Sequence, residues 1–476
     1  MIIMKPNLLL LSIIFITISL NSQVLTTYEF KVKINGISDT TLLLAHHYGA
    51  QQYVIDTVKI NSNSEAVFAG TDTLPGGIYL CVAPSLKNKY FEFIVSGEEQ
   101  KFQMETDTSD FTKNMKVTGS KENKIFYEDL NFINSKKNEI TLLKNKLQSV
   151  VETSEEGKQI KEEMKTVNKQ VEEERSRIIS ENPELFYASF LKCVTDIKIP
   201  DAPLNPDGTK DSTFAIRYVR NHYFDNINFA DERLLRTNMY DMRVKKYLKD
   251  YVQKTPDSIN VAIDFILSKT KVNKYTFQFI TVMLLNEYAN SKIMGFDAVY
   301  VYMVDKYYST GQAFWLDDVG LYRIQAQADK IKPVLIGKQA PPLLLQDTLN
   351  NDIPLYSIDK KFTVILFWSP DCGHCKKDMP KFEKLYPELS PMGVEFYAVY
   401  SEEEIDKWKK WLSEHPYPWI NVANIKLKEA YQVKYNVDQT PMIFILDKNK
   451  KIIGKKIGVD QVKEIILHQI EMEKSE

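Results

Sequence analysis

The sequence predicts a multi-domain chain: an N-terminal antiparallel β-sandwich, a middle all-α domain and a C-terminal α/β fold. Three observations carry this. Short alternating apolar runs broken by turn residues fill residues 23–119. A helical period takes over across 120–333, and strands alternate with helices from 334 to 476. At 476 residues the chain is too long for one core, and the length suggests roughly three domains. The hydrophobic fraction of 44% can fill a core in each. Lys+Arg 61 against Asp+Glu 63 leaves a formal net charge of -2, which gives no field to gather nucleic acid.

At the N-terminus, Lys5 precedes the apolar run Leu8–Leu20, and the small polar stretch Asn21-Ser-Gln23 follows. A short positive region, an apolar core of this length and small residues at its exit describe a secretory signal over residues 1–22. The alternative is an uncleaved anchor, for which the run is short. In that case alone would the protein be a membrane partner. An exported chain works in an oxidising compartment, here a periplasm or cell envelope.

Residues 23–119 read as the β-sandwich. Tyr28–Ile34 alternates almost strictly, and Asn35-Gly36 turns the chain. Thr41–Ala45, Ala66–Ala69, Gly77–Val82 and Tyr90–Val95 follow, separated by Pro75-Gly-Gly77 and Ser96-Gly97. His46 and His47 are adjacent on a strand and point to opposite faces, so they make a surface pair and not a joint metal site.

Residues 120–333 form the helical domain. Glu122–Val150 carries apolar residues along one face, and Ser154–Ile179 places Ile160, Met164, Val167 and Val171 three or four apart in a field of Glu and Lys. This is a helical hairpin with solvated outer faces. Asn182-Pro183 stops it, and Ile199–Gly208 is a loop. Further helices are expected near Phe214–His222, Tyr240–Thr255, Pro256–Ser268, Tyr275–Ser291 and Phe296–Tyr308. Their aromatic residues fill a core, His222 among them, and no chemistry is legible there.

The segment from Lys332-Pro333 to Pro342 leads into the last domain. Phe362–Trp368 is a continuous apolar run of the kind buried on both faces of a sheet. After Ser369-Pro370, Cys372-Gly-His-Cys375 opens an amphipathic helix reaching Leu389. Unpaired N–H groups and the positive end of the helix dipole lie at that first turn. They stabilise a thiolate, the reactive form of cysteine. Val394–Tyr400 is a strand, Glu402–Leu412 a helix and Ile425–Tyr431 a short helix. Met442–Leu446 and Lys451–Gly458 form an antiparallel pair, and Val459–Ile470 is a closing helix. The pattern is a three-layer α/β fold.

Over residues 336–470 the chain resembles the thioredoxin superfamily, in particular the TlpA/ResA-like exported thiol–disulfide oxidoreductases. The resemblance rests on Gly337-x-x-Ala-Pro341, on Phe367-Trp368 before Cys-x-x-Cys-Lys376, and on Pro380, Thr440-Pro441 and Gly458 in fixed order. It implies a thioredoxin fold in which Cys372 is the nucleophile and Cys375 the resolving thiol, cycling through a Cys372–Cys375 disulfide. It further implies a cis Pro441 that leaves the Thr440 backbone open to a peptide, with Trp368 also on the substrate side. Gly373 and His374 would tune the potential, the imidazole by adding positive charge near the Cys372 thiolate. Partners would be disulfide- or dithiol-bearing proteins and a redox partner for recycling, with no cofactor and no metal.

The sequence departs from the pattern in three places. Asp371 stands where an aromatic residue often precedes the first cysteine. Leu366 occupies the position of a buried carboxylate, so no proton acceptor for Cys375 is identified. Gly-His is the dipeptide of protein disulfide isomerases, not of reducing thioredoxins.

Three rival readings stand beside this one. Zinc would need two more soft ligands, and Cys81 and Cys193 lie in other predicted domains as buried thiols or a disulfide with each other. A peroxidase would need Thr-x-x-Cys in place of Cys-x-x-Cys. The rival from another class is an envelope binding or scaffold protein that retains the fold alone.

Overall fold

The structure, a computed structural model, describes residues 27–475; the expected signal over residues 1–22 lies outside them. No helix among the described residues is long and apolar enough to cross a membrane. The chain divides into two compact units. The first comprises the described residues up to Val194 together with Arg233–Asn238; the second comprises Thr195–Glu232 and the described residues from Met239.

The first unit opens with eight strands: β1 (Tyr28–Asn35), β2 (Thr41–Tyr48), β3 (Gln51–Lys59), β4 (Glu65–Gly70), β5 (Gly77–Ala83), β6 (Lys89–Val95), β7 (Lys101–Asp107) and β8 (Lys116–Thr118). They make two four-stranded sheets, in the orders β4-β1-β7-β8 and β3-β2-β5-β6. Alternation on β1 turns Phe30, Val32 and Ile34 inward, where they share one core with Phe68, Phe93 and Phe102. One pairing departs from the antiparallel expectation: β7 runs parallel to β1 after the excursion through β5 and β6. The sequence reading lacks β3, which is exposed or half-buried at every position and so has no buried face to give it a period.

His46 and His47 do point apart: His47 Nε2 meets Glu92 Oε1 at 3.0 Å, while the His46 ring lies 5.9 Å from that of Tyr53. Cys81 and Cys193 are both buried, and neither is in a disulfide.

Three helices complete this unit: α1 (Lys121–Gln148), α2 (Glu155–Glu181) and α3 (Phe186–Val194). Ser120 and Ser154 cap the first two, each accepting an N–H at 3.1 Å. The expected seam forms from Leu143, Ile160 and Val167, flanked by Ile140, Leu147 and Met164. The first turn of α1 is buried against β6, where Asn123 bonds both the N–H and the C=O of Ile94 at 2.7 Å. Beside it, buried Glu122 accepts the Tyr187 N–H at 2.6 Å, and its second oxygen has no hydrogen-bond partner.

The second unit begins with α4 (Phe214–His222), α5 (Met239–Asp250), α6 (Pro256–Thr270), α7 (Lys274–Ala289), α8 (Asp297–Met303) and α9 (Asp318–Ile331). The helix expected over 296–308 continues past α8 only as a widened π turn, Val304–Tyr308. His222 is not packed inside. It stacks on Tyr218 at 4.2 Å, pairs with Asp225 at 2.7 Å and stays partly exposed, because a polar ring near a helix end has water and a carboxylate at hand.

The remainder is the α/β layer: β9 (Leu344–Gln346), β10 (Asp352–Pro354), β11 (Phe362–Trp368), α10 (Gly373–Leu389), β12 (Val394–Tyr400), α11 (Ile405–Glu414), β13 (Ile420–Ala423), α12 (Tyr431–Lys434), β14 (Met442–Leu446), β15 (Ile452–Lys455) and α13 (Val459–Ser475). One seven-stranded sheet, β10-β9-β13-β12-β11-β14-β15, holds β11 parallel to β12 and antiparallel to β14. All seven residues of β11 are buried, its alternate side chains feeding the two cores on either face. The helix expected over 425–431 is a turn followed by α12. There the Asn424 side chain bonds the Glu429 backbone, N–H at 3.2 Å and C=O at 2.7 Å, and such local bonds compete with a helix.

Burial raises the Glu122 pKa from 4.5 to about 7, against the lowering effects of the Tyr187 N–H and Arg233. A folded value above the unfolded one means the proton is held more tightly in the folded state. The associated stability is complete below the unfolded value of 4.5 and is lost as pH rises through about 7. Glu122→Gln is therefore expected to stabilise the protein at pH 8 by roughly 3 kcal/mol and at pH 4 by little. Urea denaturation at both pH values checks this, and equal effects at the two would contradict it.

Candidate dithiol site

The site grows from the exit of β11. Trp368 ends the strand, and Ser369 turns the chain: its Oγ accepts the Asp371 N–H at 3.0 Å and its C=O accepts the Cys372 N–H at 3.3 Å. Cys372 follows as the N-cap of α10 in extended conformation, with its Sγ accepting the Cys375 N–H at 3.4 Å. The first helical bond then closes from the Lys376 N–H to the Cys372 C=O at 3.0 Å. A sulfur thus takes the place that an oxygen usually fills at a helix start. The helix runs on through Pro380 and Pro387.

The two thiols sit in different surroundings. Cys372 is part-exposed, whereas Cys375, one turn on, is 1% exposed. Partial burial pushes the Cys372 thiol up. This is outweighed by donors to its thiolate: the Thr440 hydroxyl, the Cys375 N–H and thiol, and the His374 N–H. The net value lies below that of ordinary cysteine. Burial drives Cys375 the other way, up to about 12, despite donation to its sulfur from the Ser369 N–H and the Thr440 hydroxyl.

The Thr440–Pro441 peptide, at the start of β14, is cis. The Thr440 C=O lies 3.0 Å from Cys372 Sγ and accepts the S–H of the thiol form, while the hydroxyl serves the thiolate. Of the Thr440 backbone expected to stand open for a peptide, the carbonyl is therefore taken by Cys372 in this dithiol state.

The remaining expected residues divide. His374 brings its backbone N–H to the sulfur, while its ring is exposed. At Gly373 a Cβ would meet nothing within 4 Å, so packing does not demand glycine there. Trp368 is not on the substrate side. It is fully buried in the core, edge-on to Tyr400 and Tyr417 at 6.5 and 5.8 Å, because β11 is covered on both faces up to its last residue. Sequence reasoning also missed Ser369 and Glu402, whose side chains bond to each other beside the cysteines. Their only signal is a polar residue at the end of each of two neighbouring strands.

Residues 336–455 match the AhpC/TSA family; residues 152–333 and 28–126 match two domains of unknown function, DUF5106 and DUF4369. Thiol-disulfide oxidoreductase ResA from Bacillus cereus is 32% identical over 139 residues, covering 29% of this chain and 77% of that protein. The chain belongs to the ResA family of thiol-disulfide oxidoreductases. ResA from Bacillus anthracis is likewise 32% identical, over 137 residues, covering 29% and 77%. Among solved structures, a domain of "possible thiol-disulfide isomerase" from Cytophaga hutchinsonii is 32% identical. That match covers 30% of this chain and 99% of the other at a TM-score of 0.29. A thioredoxin-like protein from Bacteroides caccae is 21% identical over 57% of this chain and 99% of its own, with a TM-score of 0.45. The ResA-family part is a thioredoxin-like oxidoreductase domain at the C-terminus of a multi-domain chain.

Within this ResA-type domain, Trp368 supports the dithiol strand from inside. Trp368→Ala should lower stability by about 3–5 kcal/mol in urea denaturation, whereas a surface contact residue would change it by less than about 0.5 kcal/mol.

Proposed function

We propose that this protein is an exported thiol–disulfide oxidoreductase that exchanges disulfides with partner proteins through Cys372-Gly-His-Cys375, acting as a reductase or general exchanger. Its redox domain, residues 334–476, follows a β-sandwich module at 23–119 and a helical module at 120–333. The observation that carries the reading is the asymmetry of the two sulfurs: Cys372 is accessible at the helix N-terminus with a lowered pKa, and Cys375 is buried with a raised one.

In the forward direction the Cys372 thiolate attacks one sulfur of a partner disulfide, forming a mixed disulfide and expelling the other partner sulfur as a thiolate. Cys375 then attacks the Cys372 sulfur. The Cys372–Cys375 disulfide forms, and the partner leaves carrying two electrons as a dithiol. A redox partner must restore the reduced pair, and the reverse sequence oxidises a partner dithiol. The Thr440–Pro441 backbone is the surface proposed to hold the partner's extended chain beside Cys372. His374 and Gly373 lie on the open side of the sulfur, where a charge or side chain would alter the potential. The apolar run Leu8–Leu20 behind Lys5 supports export to a periplasm or cell envelope.

The Cys375→Ser variant should accumulate mixed disulfides with partner proteins, visible as thiol-sensitive bands on non-reducing gels, and Cys372→Ser should not. Equal trapping by both variants would defeat the assignment.

A further inference from the structure

The helices of the stretch that matches a domain of unknown function enclose a cleft of about 430 Å³ between α5, α6, α7 and the turn after α7. That volume suits one small molecule. Most of its wall is apolar, with buried Leu248 of α5, Ile259 of α6, Leu284 of α7 and Phe296 beyond the turn. Ile293, on the turn itself, lines the cleft and is 56% exposed, so a guest there takes apolar surface out of water. Tyr288 lines it too. It is 7% exposed, yet its hydroxyl has no hydrogen-bond partner among the described residues. A donor so placed is costly unless something in the cleft accepts from it.

The charged residues of the wall are Lys245, Lys249, Lys254 and Glu287. Lys245 is already neutralised, by Asp241 at 3.0 Å and Glu287 at 3.7 Å. Lys249 and Lys254 form no ion pair among the described residues; Asp250, whose carboxylate both stabilise, is itself bonded to Lys246 at 2.8 Å. The Lys254 ammonium donates to the Leu248 C=O at 2.6 Å, which fixes one positive charge at the cleft with two donors to spare.

We propose that this cleft binds an amphiphilic carboxylate, an apolar chain ending in one anionic head. The chain covers the Leu248, Leu284 and Phe296 surface, the head lies against Lys249 and Lys254, and an oxygen of the ligand accepts from Tyr288. A purely apolar ligand would leave the two lysines and the hydroxyl unused, and a small anion would leave the apolar wall wet. The cleft shares no residue with the dithiol site, so the proposal stands apart from the exchange reading.

Dodecanoate and dodecanol, each kept below its aggregation concentration, share a chain and differ in the head. NMR of the full-length protein with isotope-labelled methionine methyl groups reports on the site itself, because Met283 lines the cleft and its signal is the one lost in Met283→Leu. Dodecanoate should shift that signal saturably, and dodecanol should bind about tenfold more weakly. Lys249→Gln combined with Lys254→Gln should bring dodecanoate down to the affinity of dodecanol and leave dodecanol unchanged. Tyr288→Phe should weaken dodecanoate about fivefold without lowering Tm, since the hydroxyl bonds nothing in the protein. The proposal is overturned by a Met283 signal that does not shift saturably, by equal affinity for the two probes, or by equal weakening of both in the lysine variant. Unchanged dodecanoate affinity in the lysine variant, or a Tyr288→Phe variant that loses Tm and not affinity, would overturn it as well.

Discussion

The chemistry of this chain depends on where one helix begins. β11 is hydrogen-bonded on both edges and buried on both faces, so its end has no freedom to drift. Whatever follows within a few residues inherits that fixed position. Here it is a turn closed by Ser369 and then a helix whose first N–H groups have no partner within the helix. Cys372 supplies the missing acceptor. The sulfur is thereby held by donors that favour its charged form, while the helix places Cys375 one turn deeper in an apolar core. Two identical side chains, three positions apart, acquire opposite tendencies from this placement alone.

The same unit uses buried charge structurally elsewhere. Lys455 of β15 is 3% exposed; its ammonium donates to the Val334 C=O at 2.7 Å and pairs with Asp297 of α8 at 2.5 Å. Lys450 is buried with donors on the Ile358 C=O at 2.7 Å and the Thr363 hydroxyl at 3.1 Å. Each satisfies a carbonyl beside the sheet that would otherwise be stranded away from water. The first links the α/β layer to the helices before it. The sheet carrying the dithiol is therefore anchored to its own helical surroundings by an ion pair with little access to water, whose loss would leave a buried charge uncompensated.

Much of this was legible in the sequence, for identifiable reasons. Phe362–Pro380 joins the two strongest local signals, a doubly buried strand and an amphipathic helix, with two thiols at their junction. The α1–α2 hairpin was equally plain, because its apolar residues keep one period over a long span. What failed to show was structure decided at a distance. β3 has no buried face to mark it, and the parallel β1–β7 pairing depends on where the chain returns. Asn424 diverts its neighbours from a helix by bonding the local backbone. Trp368 reads as part of an active-site motif, yet its neighbours Tyr400 and Tyr417 come from elsewhere in the chain and enclose it. Ser369 and Glu402 lie 33 positions apart and meet only because β11 and β12 are adjacent and parallel. No local pattern announces such a pair.

The central claim is that the fold divides labour between two sulfurs by placement. A pH titration of the reduced full chain, with isotope-labelled cysteine followed by NMR, tests it most directly. The account predicts that Cys372 ionises below the ordinary cysteine value and that Cys375 stays protonated until about pH 12. Ionisation of Cys375 first, or both thiols titrating together at the ordinary value, would contradict it.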